Sequence, residues 1–184
     1  MGILGDSLEK AAAANTTRPI PKSAGAQMRF LVKQHKGTKA VAQLLGISQR
    51  TVERYVKDQI KRPRKDLAAR IEREVRRRWQ PKVREKAQRR AAQTGGITIE
   101  TRARFGFTAA PGTTDDGRIR LITQHLPPAY AARLFDAQSA GATEQRLQNI
   151  AAEGLQEIYF KDRGRRADGL LVEFTDIDYV ELDF

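Results

Sequence analysis

A chain of 184 residues, 40% apolar and 30% charged, is long enough to bury a core and reads as a globular protein. It has no cysteine, which excludes a disulfide framework and any thiolate zinc site, and no apolar run approaches the ~20 residues of a membrane span. The formal charge of +12 is unevenly spread: residues 1–92 hold 24 Lys/Arg against 8 Asp/Glu, and residues 93–184 hold 10 against 14, so one half suits a polyanion and the other half does different work.

Residues 1–22 read as a flexible N-terminal arm. Leu4, Leu8 and Ala11 would share one side of a short helix over 4–14, so a docked helix and a tail stand as equal alternatives, and Pro19 and Pro21 prevent a helix from running onward. Asp6 and Glu9, with no apolar stretch beside them, argue against a signal peptide, so the expected location is cytoplasmic.

Residues 23–92 read as a helical DNA-binding domain. Ser23 is expected to cap a helix to about His35, with Met28, Leu31 and Val32 inward and Gly37 as its stop. Thr38 would cap a second helix over 39–45, ending at Gly46, and Ser48 a third over 49–57. This stretch resembles the helix-turn-helix family: Ala42 is small where helices must cross, Gly46 supplies a left-handed turn, and Ile47 and Val52 fill the space between, with Leu44 or Leu45 closing it. An ordinary helical hairpin is the plainer alternative, but it leaves the cations of the third helix without a role. Gln49, Arg50 and Arg54, supported by Thr51 and Lys57, are therefore the expected DNA-reading face, since Arg pairs with guanine and Gln with adenine.

Residues 61–90 carry 14 Lys/Arg against 4 Asp/Glu. Leu67, Ala68, Ile71 and Val75 repeat at helical spacing, so an amphipathic basic helix is expected, followed after Pro81 by a shorter one to about Ala92. Arg73, Arg76 and Arg77 are the candidate phosphate contacts, and Trp79, four residues after Val75, reads as a core anchor.

Residues 93–184 read as a small domain of order β-β-α-α-β, giving an α+β protein overall. Residues 97–107 alternate like a strand, with Ile97, Ile99, Ala103, Phe105 and Phe107 on one face, and 118–123 read as its partner. Between them, 108–117 is rich in turn residues. Pro127-Pro128 should start a helix to about Gln138, Thr143 should cap another to about Phe160, and 170–184 alternate as a third strand.

Enzyme chemistry is poorly represented. His35 sits where a helix dipole explains it, His125 reads as a strand-end residue, and there is neither a phosphate-binding Gly-rich loop nor metal-ligand spacing. Asp115-Asp116 could in principle hold a cation, but two acids followed by Gly117 more simply make a solvated turn. The run from Arg163 to Arg166 is read as a surface loop able to touch DNA or an acidic partner.

Nearly the whole chain resembles the telomere-protecting terminal proteins of actinomycete (Streptomyces-type) linear chromosomes and plasmids. The likeness rests on length and on Leu-Gly-Ile-Ser-Gln-Arg-Thr-Val-Glu-Arg-Tyr at 45–55. It continues in the basic segment through Trp79 to Pro81, Gly95-Gly-Ile-Thr-Ile-Glu100, the Gly-Thr-Thr-Asp-Asp-Gly loop at 112–117 and the Tyr-Val-Glu-Leu-Asp-Phe end. The resemblance implies a protein primer, not an enzyme: a hydroxyl of the protein accepts the first deoxynucleotide in a reaction that a DNA polymerase catalyses, and the protein stays covalently attached to the 5′ end. It favours Thr114 as the acceptor, with Thr113 as its rival and Asp115 and Asp116 supporting the loop. It implies no cofactor or metal of the protein's own, because the polymerase supplies deoxynucleotide and divalent metal. The implied partners are telomeric DNA, as a single-stranded 3′ overhang or duplex, a larger telomere-associated protein and the polymerase, with no membrane. Homo-oligomerisation stays open.

Without the resemblance, a helix-turn-helix transcriptional or partition regulator with an α+β dimerisation or ligand domain would lead. A recombinase is weak, since no Ser or Tyr nucleophile sits among clustered Arg and His.

Overall fold

The computed structural model describes residues 2–108, 118–164 and 170–184. Among these, eight α-helices and one three-stranded antiparallel sheet make a mixed α+β protein that is mostly helical. No helix among the described residues is long and apolar enough to cross a membrane.

The chain divides into two compact units, one comprising residues 16–81 and the other residues 1–15 together with 82–184. The boundaries read from the sequence, 22/23 and 92/93, therefore fall at 15/16 and 81/82.

The helical unit contains α2 (Ala24–His35), α3 (Thr38–Leu45), α4 (Gln49–Val56) and α5 (Lys65–Arg78). Ser23 caps α2, its hydroxyl accepting a hydrogen bond from the Ala26 amide at 3.2 Å. The left-handed residue that ends α2 is Lys36, at φ 57°, and not Gly37, and Thr38 lies inside α3 without capping it. Gly46, at φ 63°, ends α3, and its amide and that of Ile47 close onto the Gln43 and Ala42 carbonyls. An L side chain at that φ is strained, so the three-residue turn from α3 to α4 depends on glycine. Met28, Leu31, Val41, Leu45, Val52, Ile71 and Val75 are buried together. Trp79 packs against them edge-on to Phe30, ring centres 4.9 Å apart, and its indole N–H donates to the Arg18 carbonyl at 2.9 Å. It is thereby held as an anchor of this core.

The sheet unit contains α1 (Ile3–Ala14), α6 (Pro81–Arg90, from Lys82 on), β1 (Ile97–Thr108), β2 (Arg118–Leu126), α7 (Pro128–Ser139), α8 (Glu144–Leu155) and β3 (Leu171–Asp183). The strand order is β2-β1-β3, with Thr101 opposite both Ile122 and Val180. β1 buries Ile97, Ile99, Thr101, Ala103 and Phe105, while Phe107 is half-buried. β3 alternates less simply. Its register to β1 slips once on either side of the Ala103–Ile177 and Arg104–Asp176 pairs. Each slip turns the side-chain alternation over, so two of them restore it. Val172 and Phe174 before the slips, and Val180 and Leu182 after them, thus share the buried face.

Residues 3–14, left between tail and docked helix by the sequence, form α1 on the sheet unit's core. Leu4, Leu8 and Ala11 are buried there with strand and helix residues. The Glu144 carboxylate accepts the Leu4 and Gly5 amides at 2.6 and 3.2 Å, satisfying donors that a helix start leaves free and meeting the positive end of its dipole. The Ser7 hydroxyl accepts the Leu182 amide at 2.9 Å, which ties α1 to β3. α6 leads through a wide turn closed by the Gly96 amide on the Ala91 carbonyl (2.7 Å) into β1. α8 likewise stops at Leu155 and runs on to Phe160 as a wider turn, closed by Lys161 on Gln156 at 2.8 Å.

Candidate nucleic-acid interface

The helical unit carries 18 Lys/Arg against 5 Asp/Glu, so the cationic excess of the chain resides in it. On α4 the charge is ordered. Val52 and Tyr55 face the core and are buried. Arg50, Arg54 and Lys57 follow one another at i, i+4 and i+7, all exposed, and none forms an ion pair among the described residues. A free row of cations on the outer face of a short helix is suited to a phosphate backbone or to guanine edges.

The start of α4 is held in place. The Ser48 hydroxyl accepts the Thr51 amide at 3.2 Å and lies 2.8 Å from the Thr51 hydroxyl. Ser48→Ala is expected to cost about 0.5–2 kcal/mol of stability, read by denaturant unfolding, since it frees one helix-start amide. An unchanged midpoint would show that water replaces this cap at no cost. Gln49 donates to the Glu53 carboxylate at 2.9 Å, so of the predicted reading residues it is engaged before any ligand arrives. Burial pushes the Tyr55 phenol above its usual value, against the opposing pull of Arg54.

The α5 platform is less open than its composition suggests. Leu67, Ile71 and Val75 form the buried stripe, and Arg73 is exposed with no ion pair among the described residues. Arg76 pairs with Glu72 at 2.6 Å and Arg77 with Glu74 at 3.0 Å, and Arg78 shares Glu74. The Arg76–Glu72 pair is half-exposed, so screening weakens it and a phosphate can displace it, whereas Glu74 is largely buried beneath its two arginines. The cations that the sequence did not single out lie between α4 and the first residue of α5. Lys61, Arg62, Arg64 and Lys65 are all exposed and form no ion pair among the described residues. Their signal was density, four charges in five residues around Pro63.

Thr113, Thr114, Asp115 and Asp116, in the chain between β1 and β2, lie outside the described residues, and so do Arg165 and Arg166, ahead of β3. His35 ends α2 and His125 is the penultimate residue of β2, 3.3 Å from the Thr98 hydroxyl. No group of three His, Asp or Glu able to hold a metal occurs among the described residues. No known protein family, curated protein or solved structure matches the chain.

Proposed function

We propose that this protein binds DNA through α3 and α4, used as a helix-turn-helix, and serves as a protein primer at the ends of linear replicons. The observation that carries the DNA-binding part is the free cationic row of Arg50 and Arg54 on α4 and Lys57 at its C-cap, in a unit with a large excess of positive charge. What supports the priming part is the sequence likeness to terminal proteins around Thr114. In this reading α4 lies in a groove, Arg50 and Arg54 reach base edges, Gln49 exchanges Glu53 for a base, and Arg73 with the cations at 61–65 holds phosphates. The polymerase, a telomere-associated protein and the telomeric end are the proposed partners.

The reading is tested by incubating the full chain with a labelled deoxynucleotide, a telomeric template and the polymerase. Covalent label on the protein is the expected result. A regulator would stay unlabelled, and a recombinase would act on duplex DNA without nucleotide. The DNA-reading part has its own measure. Arg50→Ala is expected to cost about 1–3 kcal/mol of affinity on the preferred sequence and less on random duplex. Equal losses on both would make Arg50 a phosphate contact and remove the recognition role from α4.

A further inference from the structure

The sheet unit is close to neutral, with 16 Lys/Arg and 17 Asp/Glu, yet its charges are sorted. β3 carries Glu173, Asp176, Asp178, Glu181 and Asp183, while Lys82, Arg84, Lys86, Arg89 and Arg90 crowd α6 with Glu85 as the one acid. Glu85 is taken up by Arg89 at 2.8 Å, and Arg84 pairs with Glu9 at 2.7 Å. Lys82, Lys86 and Arg90 are exposed, form no ion pair among the described residues, and recur every four residues, so they line one face of α6.

Two of the three, Lys86 and Arg90, line a groove of about 550 Å³. Lys86 and Arg90 of α6 line it together with Thr98 of β1 and His125 of β2, and Asn15 and Asp183 also line it. A second concavity of about 590 Å³ shares Lys86 and Arg90 and adds Lys82, Gln93 and Thr94. The His125 ring is seated on the chain because residue 96 is glycine. A Cβ there would meet the ring Nε2 at 2.7 Å and the Leu126 carbonyl at 2.3 Å, and its φ of +70° is itself strained for an L side chain.

We propose that this groove is a second nucleic-acid site, separate from α4 in residues and in compact unit, and that it takes a single DNA strand. This rests on the DNA-binding reading above and extends it to the sheet unit. Three features select a single strand over a duplex. The space suits a drug-sized ligand, which is room for roughly one or two nucleotides rather than for paired strands. The cations run in a line along α6, as a strand's phosphates require. The lining also offers His125 and Thr98, whose donors and acceptors suit base edges that are free only when unpaired. Asp183, which accepts the Phe184 amide at 3.0 Å, places a negative charge at the groove lining and disfavours a phosphate beside it.

The test uses the full chain and two probes in fluorescence anisotropy, a short labelled oligothymidylate and a labelled duplex, across a salt series. For Lys86→Gln/Arg90→Gln, the single-strand affinity is expected to fall tenfold or more. The slope of log affinity against log salt should flatten by about 1.4, at about 0.7 for each strand phosphate released. Duplex affinity should stay within about twofold, because α4 is untouched. His125→Ala, an exposed position that also lines the groove, should weaken the single strand several-fold with the same duplex control. Unchanged single-strand affinity and slope in both variants overturns the groove while leaving DNA binding by α4 intact. Equal loss on both probes also overturns it, since the cations would then be a general polyanion surface. A chain that binds neither probe removes the underlying DNA reading, and the groove proposal with it.

Discussion

Replacing Thr114 by Ala is expected to bring covalent nucleotide labelling to background while DNA binding survives. In the proposed priming step the threonine Oγ bonds to the α-phosphorus of a deoxynucleoside triphosphate. Pyrophosphate leaves, and the hydroxyl proton passes to solvent or to a polymerase base. The polymerase's paired divalent metals would activate the hydroxyl and steady the attack, so Thr114 needs no base of its own. The sequence is consistent with that economy, because no histidine lies between Thr114 and His125 or closer upstream than His35. Removing the hydroxyl removes the acceptor atom, and no neighbouring effect can restore the bond. Thr114→Ser keeps the atom and should retain part of the labelling, whereas Thr113→Ala should leave it close to normal. Full labelling of Thr114→Ala would sink the assignment, and mass spectrometry of the nucleotide-bearing peptide would then locate the acceptor. A clean loss in Thr113→Ala with normal Thr114→Ala would move the role one residue upstream.

How much of this was legible in the sequence differs between the two units for physical reasons. In the helical unit the signals are local. Ser23 and Ser48 cap the helices assigned to them, Gly46 takes the left-handed turn, and Leu67, Ile71 and Val75 are buried at their helical spacing. The stop of α2 was misplaced by one residue because Lys36, not the adjacent glycine, adopts the left-handed conformation. Glycine permits that conformation but does not force it. The ion pairing of Arg76 and Arg77 was readable in principle, since Glu72 and Glu74 precede them at i+4 and i+3 spacing. Counting charges without pairing them made the platform look freer than it is.

In the sheet unit the missing information was long-range. The order β-β-α-α-β followed from alternation, turn residues and the Thr143 cap, which accepts the Arg146 amide at 3.3 Å. That α1 joins this unit could not be read from residues 1–22. Its start is held by Glu144, and its middle by Leu182, contacts 139 to 175 residues away in the chain. The assignment of α6 failed for the same reason. Its basic composition matches α5, but from Lys82 on it belongs to the sheet unit. The priming hydroxyl is a third case. Nothing in the pattern of residues alone separates Thr113 from Thr114, and the preference comes from the resemblance to terminal proteins.

Phe105→Ala is expected to have the largest effect on stability. Phe105 is fully buried on β1, with its ring 4.9 Å from Phe174 on β3 and 5.4 Å from Phe160 beyond α8. It therefore joins a strand, its neighbour strand and the turn after a helix in one contact. Truncation loses the transfer energy of the ring and leaves a cavity whose walls belong to three elements, so collapse onto it is poor. A cost of about 3–5 kcal/mol is expected. For a chain of this size that is a fall in melting temperature of about 2–4 °C per kcal/mol, roughly 6–20 °C in all. The control is the preceding residue. Arg104 is exposed on the opposite face of β1, with Ile119 and Asp176 as its cross-strand neighbours, and Arg104→Ala should change stability by no more than about 0.5 kcal/mol. Because side chains alternate along a strand, a slip of one residue in the β1 register would exchange the two outcomes. Thermal unfolding of both variants therefore checks the sheet's facing directly. A large loss for Arg104→Ala with a small one for Phe105→Ala would reverse the buried face of β1.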